Sequence, residues 1–274
     1  MASPHPLFCQ TTRTRHRARA IKRGVAGFLH QAAALQLQER LQDINKPFTR
    51  TAFIGWLPEF WAEILQPDVI VPDDEVLRLD PSAFDLVVHG LCLHSANDPV
   101  GQLIQMRRAL KPDGLLLAAL FGGQTLHELR ASFAQAESEV EGGLSPRVYP
   151  MGDIRDLGGL LQRAGLALPV ADSTTLTVTY ETPLHLMRDL RAMGEANAMT
   201  ERRKTPLRRA TLARASEIYQ AGFGLPGGRI PATFEIIFMT GWAPSSSQPQ
   251  PLKPGSASAR LADALGTVEF KEPL

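Results

Sequence analysis

The chain has 274 residues, 44% of them hydrophobic and 21% charged, an ordinary composition for a globular protein and enough for one large domain with a tail. Lys and Arg number 29 against 28 Asp and Glu, and a formal net charge of +1 argues against nucleic-acid binding by the chain as a whole. The longest apolar run, residues 115–121, falls far short of the roughly 20 residues of a bilayer span. No basic segment followed by an apolar stretch opens the sequence, and the 2 cysteines make no disulfide or zinc framework, so a soluble, cytoplasmic protein with no transmembrane segment is expected.

Residues 1–12 read as disordered, and residues 13–23 as a basic helix carrying Arg13, Arg15, Arg17, Arg19, Lys22 and Arg23. Its main reading is a solvated helix face, with contact to an anionic lipid or ligand as the alternative; Arg-rich beginnings also occur in mitochondrial transit peptides. Apolar residues at three- and four-residue steps predict a helix over 28–44, which Pro47 ends. A short apolar strand at 51–55 is followed by a helix at 58–65, then strands at 68–71 and 85–93 and a helix at 100–110. Lys111-Pro-Asp-Gly114 reads as a tight turn into a strand at 115–120, with Cys92 as a buried thiol in the preceding strand. Continuous apolar strands alternating with helices mean a parallel sheet covered on both faces.

Further along, helices are predicted at 125–141, 153–164, 183–193 and 208–221, and strands at 176–180 and 230–240. Beyond Trp242 the chain turns rich in Pro and Ser, a linker by composition, and residues 259–265 have the pattern of a short amphipathic helix able to dock on a partner. The expected organisation is therefore a domain over 13–242 and a tail over 243–274. Within the domain we expect N-terminal helices at 13–46, a core at 51–170, substrate-side helices at 183–221 and a final strand at 230–240.

Several blocks carry a resemblance. Pro72-Asp-Asp-Glu-Val-Leu-Arg-Leu79, Phe84-Asp-Leu-Val-Val88, Leu91-Cys-Leu-His94 and Leu110-Lys-Pro-Asp-Gly-Leu115 are similar to the middle of class I S-adenosylmethionine (SAM)-dependent methyltransferases. Downstream, residues 121–130, 141–146, 156–161, 191–197, 230–234 and Gly241-Trp242 resemble one subfamily in order. It holds the malonyl-carrier-protein methyltransferases of biotin synthesis and mitochondrial complex I assembly factors of methyltransferase fold, one of them arginine-hydroxylating. The resemblance covers about residues 13–242. It implies an α/β, Rossmann-like class I methyltransferase sheet with a helical substrate-side insertion, SAM as cofactor, and a protein or acyl carrier as substrate.

The sequence departs from that pattern in two places. The family's first strand ends in a glycine-rich turn, because a Cβ there collides with the cofactor. Here Gly55 survives, while Trp56, Leu57 and Pro58 occupy the rest of the turn. Between Leu65 and Asp73 there is room for one strand only, so a strand–helix unit and its ribose-binding carboxylate are missing from the pattern.

The resemblance places Gly55, Asp73, Asp74 and His89 at the cofactor, although Asp73 and Asp74 also read as a solvated loop and His89 as a structural histidine. His94, at a strand's C-terminal end, is the candidate general base or substrate-orienting group, against a hydrogen-bonded histidine with no chemistry. Gly122 and Gly123 offer backbone amides to an anion, or form a plain turn. Arg147 and Tyr149 look like substrate-lid residues. Arg191, Glu195 and Asn197 belong to the substrate-side helices, with an i,i+4 ion pair between Arg191 and Glu195 as the structural alternative. Metal-ligand spacing and a nucleophilic serine motif are absent from the sequence. Three functions follow: methyl transfer from SAM to a carrier- or protein-bound acceptor, a non-catalytic assembly or binding role, and, on the subfamily's precedent, arginine hydroxylation.

Overall fold

The computed structural model describes residues 5–249, 262–263 and 266–267. Helices α1 (Gln10–Arg23) and α2 (Phe28–Gln42) precede β1 (Thr51–Gly55), α3 (Glu59–Leu65) and β2 (Val69–Val71). Next come β3 (Phe84–Gly90), a 3-10 turn (Leu93–Ser95), α4 (Pro99–Ala109), β4 (Leu110–Phe121), α5 (His127–Glu141) and α6 (Ile154–Arg163). The unit closes with β5 (Ala167–Tyr180), α7 (Pro183–Ala192), α8 (Arg209–Phe223) and β6 (Ile230–Trp242). The six strands form one mixed sheet in the order β2-β1-β3-β4-β6-β5. β1 to β4 run parallel, and β6 is antiparallel to both β4 and β5.

Alternation along the strands separates two cores. Phe53, Val88, Leu117 and Ala119 meet Leu29 and Leu37 of α2, Trp61 of α3 and Tyr219 of α8 on one face. Their neighbours Ile54, Val87, Leu116 and Ala118 meet Leu103 and Met106 of α4 and Leu161 of α6 on the other. A strand with both faces buried shows the continuous apolar run seen at Thr51–Gly55 and Phe84–Gly90. Local signals place the helix ends. Asp98 caps α4 by accepting from Gly101 N at 2.7 Å, and Asp153 caps α6 by accepting from Arg155 N at 2.9 Å.

Gly55 and Gly90 lie opposite each other at the ends of β1 and β3. A Cβ on Gly90 would stand 2.6 Å from the Phe53 ring and 2.9 Å from Trp61, both fully buried. Gly90→Ala is therefore expected to destabilise by about 1–3 kcal/mol through overpacking, measured as a lowered denaturation midpoint. A variant as stable as the parent would show that this corner has slack.

Several expectations change. Of residues 1–12, positions 5–12 are ordered: Phe8 is buried against Tyr149, Ala198 and Met199, and its N–H donates to Asn97 Oδ1 at 2.8 Å. Lys111-Pro-Asp-Gly114 is not a free turn but the irregular start of β4, where the register with β3 shifts and Asp113 has φ +62°. The predicted strand at 176–180 is the end of the longer β5, whose alternating burial marks a half-exposed edge strand. The chain divides into units 1–244 and 245–274. The amphipathic segment 259–265 falls mostly outside the described residues, of which Ala262 and Asp263 are helical. Among the described residues no helix is long and apolar enough to cross a membrane.

Candidate functional site: the carboxyl rim of the sheet

In an open α/β sheet the ligand crevice lies beyond the strand carboxyl ends, where the strand order reverses. Here the chain runs outward from β1 to β2 and then returns to β3 on the other side, so the reversal falls between β1 and β3. The residues just past these ends are Trp56-Leu57 and Leu91-Cys92, with Asp73 beyond β2 and His94 in the turn after β3.

The chain's own side chains fill that crevice. Trp56, Leu57 and Cys92 are buried with Ala20 of α1 in one apolar cluster. Leu57 holds φ +58°, so the turn keeps a left-handed residue although the sequence puts a branched side chain there. Arg17 of α1 stacks over the Trp56 ring with its guanidinium carbon 5.1 Å from the centroid, and donates to Asp73 Oδ1 at 2.5 Å and Oδ2 at 3.1 Å. Arg13, one turn earlier, pairs with Asp73 Oδ2 at 3.0 Å, donates to the Asp73 carbonyl at 3.0 Å and reaches Ser95 Oγ at 3.0 Å. The Asp73 side chain is 4% exposed; burial alone raises its pKa, but Arg17 and Arg13 hold it below the usual carboxylate range. Cys92 is the buried thiol the sequence suggested, pushed up to about 12 by burial and the Asp73 charge.

These positions correct the reading of residues 13–23 as a solvated face: Arg13 and Arg17 are the buried anchors of α1. Positions 13, 17 and 20 share one helical face, and Arg13 and Ala20 on it are buried. The glycine-rich cradle and free rim carboxylate that SAM requires are thus replaced by Trp56, Leu57 and a doubly paired Asp73, and the residues present do not fit that cofactor. Gly55 has a packing reason to be glycine, because its Cβ would lie 3.0 Å from the Gly90 carbonyl oxygen. Asp74 is exposed, its carbonyl accepting from Gln102 Nε2 at 2.8 Å. His89 is fully buried, and its Nε2 pairs with Gln102 Oε1 at 3.2 Å. It lies within β3 and its partner belongs to α4, which is the structural reading of this residue.

His94 does come together with one predicted partner. Its Nε2 lies 3.3 Å from Glu195 Oε2, and its buried Nδ1 has no hydrogen-bond partner among the described residues. Burial pushes Glu195 up, yet His94 and Arg17 bring it below the ordinary carboxylate value. The Arg191–Glu195 pair, the structural alternative for these residues, does not form among the described residues: α7 ends at Ala192, which takes Glu195 off the helix face. A carboxylate orienting a histidine is the geometry of a general base. However, His94 stands behind Phe121 (ring centroids 4.8 Å apart) and Tyr149 (6.3 Å).

Those two rings face a small apolar pocket of about 50 Å³, lined also by Leu129, Met193 and Phe234 and edged by Arg147, Glu195 and Asn197. Tyr149 is no loose lid: it is 5% exposed, its OH donates to Ala196 O at 3.1 Å and accepts from Ala198 N at 3.1 Å, and burial raises its pKa. Arg147 is held by Glu137, with Nε 2.8 Å from Oε1, while Glu137 also accepts from Ser145 N at 2.7 Å. Asn197 donates to Pro146 O at 2.7 Å, closing the same loop. The Gly122 and Gly123 amides are already used, donating to Glu235 O at 2.9 Å and Gly152 O at 3.1 Å. The neighbouring Gln124 N donates to Glu235 Oε2 at 2.9 Å, so the segment is the plain turn of the two readings and the chain supplies its own carboxylate there. Arg191 is exposed and opens on a separate cleft with His16, Arg19 and Arg23.

A parallel sheet with this strand order, an antiparallel last strand and a reversal between β1 and β3 defines a methyltransferase-type α/β domain. A methyltransferase domain family matches residues 54–118. "Arginine-hydroxylase NDUFAF5, mitochondrial" from Danio rerio is 43% identical over 194 residues, 71% of this chain and 60% of that protein. Its Homo sapiens counterpart is 41% identical over 204 residues, 74% and 59% of the two chains. "Malonyl-[acyl-carrier protein] O-methyltransferase" from Halorhodospira halophila is 34% identical over 177 residues, 65% and 58%. The chain has the class I methyltransferase fold and is homologous to both groups. It spans about three fifths of these relatives' length.

Proposed function

We propose that this chain is a cytoplasmic, non-catalytic binding or assembly protein of methyltransferase fold. In this reading the methyl-donor crevice has been given over to anchoring α1, and the substrate side is kept for a protein or acyl-carrier partner. The observation that carries the reading is the pair of arginines on Asp73 beneath Trp56, at the point where the fold would hold its cofactor. The relatives' pattern shortened by one strand–helix unit supports it, since between α3 and β3 the chain has β2 alone and no described helix. The surface around Arg147, Asn197 and the apolar pocket remains built, and the tail after Trp242 adds a segment for a partner to contact.

Isothermal titration and thermal shift with SAM and S-adenosylhomocysteine test this. A ligand that binds the folded chain must raise its melting temperature by mass action, by about 2.7 kcal/mol of stability at a hundredfold excess over Kd. The expected result is no heat and no shift at millimolar ligand. Micromolar binding would restore the second reading, methyl transfer from SAM to a carrier- or protein-bound acceptor, which the match over residues 54–118 and the O-methyltransferase relatives favour. In that case His94, oriented by Glu195, is the group to substitute first.

A further inference from the structure

We propose that the cleft between α1 and α7 is a phosphate-binding site formed by the guanidinium groups of Arg19, Arg23 and Arg191. The cleft encloses about 180 Å³ and is lined by these three residues with His16 and Ala196. No carboxylate lines it, and among the described residues no ion pair or side-chain hydrogen bond engages any of the three arginines. The Ala196 carbonyl, an acceptor within the lining, is already taken by His16 Nδ1 at 3.0 Å and by the Tyr149 OH at 3.1 Å. What the cleft presents is therefore a set of donors with positive charge.

Helix electrostatics do not account for this arrangement. The macrodipole favours a cation in the last turn of each helix, which covers Arg23 on α1 and Arg191 on α7. Arg19 lies one turn earlier, and like charges four residues apart on a helix repel. Two turns of α1 and the end of α7 thus line one small volume with three exposed, permanently charged arginines. A planar guanidinium matches the paired oxygens of a phosphate group, and several around one oxyanion give the strongest form of that contact. The other arginines of α1 do not compete for the cleft, since Arg13 and Arg17 hold Asp73 and Arg15 is exposed outside the lining.

The site is separate from the apolar pocket, although the two share one segment: Ala196 lines the cleft, and its neighbours Glu195 and Asn197 line the pocket. The inference does not rest on whether the crevice binds SAM, and its test leaves that question untouched. The shared ligand chemistry is a phosphate monoester dianion, carried either by a soluble molecule or by a lipid headgroup.

Titration of the full chain with inorganic phosphate and pyrophosphate at fixed chloride is the first measurement. Saturable binding is expected, with pyrophosphate the tighter. Arg23→Gln and Arg191→Gln are each expected to weaken it about fivefold, whereas Arg15→Gln leaves it unchanged. A bound anion beside His16 should also move the resonances of its ring, and this NMR readout reports occupancy even where an arginine variant alters stability. Sedimentation with phosphatidylcholine vesicles, with and without phosphatidic acid, assigns the source. Pelleting that depends on Arg191 identifies a headgroup ligand and its absence a soluble ester, and both keep the site. Lack of saturable binding, or equal weakening by Arg15→Gln and Arg191→Gln, means diffuse surface charge and overturns the proposal.

Discussion

Between pH 7 and pH 4 the protein is expected to lose several kcal/mol of folding stability. The cause is a pair of buried neutral histidines. His30 of α2 packs against Trp61 of α3 and is lowered from 6.5 to about 4, chiefly by burial, with Arg17 and His94 adding to the fall and Glu195 and Asp73 opposing it. His89 inside β3 is likewise lowered to about 4 by burial, with Asp73 and Gln102 opposing and His94 and Arg13 assisting. Their hydrogen bonds explain why a second proton is unwelcome. Trp61 Nε1 donates to His30 Nδ1 at 3.1 Å, so protonation there loses the bond. Gln102 is oriented by its donation to the Asp74 carbonyl, which turns Oε1 toward His89 Nε2 and leaves the buried Nδ1 with no acceptor.

The sign follows from linkage. Below pH 6.5 the unfolded chain takes up protons that the folded chain refuses, so the unfolded state gains. Stability is full above the unfolded value and falls until pH reaches the folded value near 4. A drop from 6.5 to about 4 is worth on the order of 3 kcal/mol for each histidine. Asp73 and Glu195, both lowered, extend the loss below pH 4, because their contribution disappears as pH falls through their folded values. Urea midpoints measured from pH 7.5 to 4.5 check this, and His89→Gln, which keeps a donor for Gln102, should make the profile about half as steep. A stability profile flat from pH 7 to pH 5 would rule out the neutral buried histidines.

Asp73→Asn is expected to be the most damaging single change at the rim. It leaves the Arg13 and Arg17 guanidiniums, 7% and 13% exposed as side chains, without their counter-charge. Removing one partner of a buried ion pair costs about 3–5 kcal/mol, because the remaining charge stays desolvated. For a domain of this size that lowers the melting temperature by roughly 10 °C. Replacing the whole group, with Arg13→Met, Asp73→Leu and Arg17→Met together, should recover most of the loss, since the desolvation penalty goes with the charges. An Asp73→Asn protein within about half a kcal/mol of the parent would mean that α1 is held by Ala20 and Phe8 instead, and that the crevice is open to a ligand.

The sequence alone determined the order and nature of most elements. The helix over 28–44 and the apolar strand at 51–55 are written in residues a few positions apart, as is the strand read at 85–93, which ends earlier as β3 (Phe84–Gly90). Local spacing and turn chemistry decide such features before distant parts of the chain meet. The short segment before Asp73, which carries β2 alone after α3, was legible as a count of residues, and the filled turn after β1 as Trp56-Leu57-Pro58.

Only the tertiary structure decided what each polar side chain answers to. Arg17 meets Asp73 across 56 positions and His94 meets Glu195 across 101. No spacing rule reaches that far, because a buried charge pairs with whatever the folded layers bring beside it. That is why the basic stretch read as solvated, and why the sequence left open an Arg191–Glu195 pair and an anion at Gly122 and Gly123. The same folding step left Arg19, Arg23 and Arg191 facing one cleft without a carboxylate, a grouping that the sequence scatters over two helices far apart in the chain.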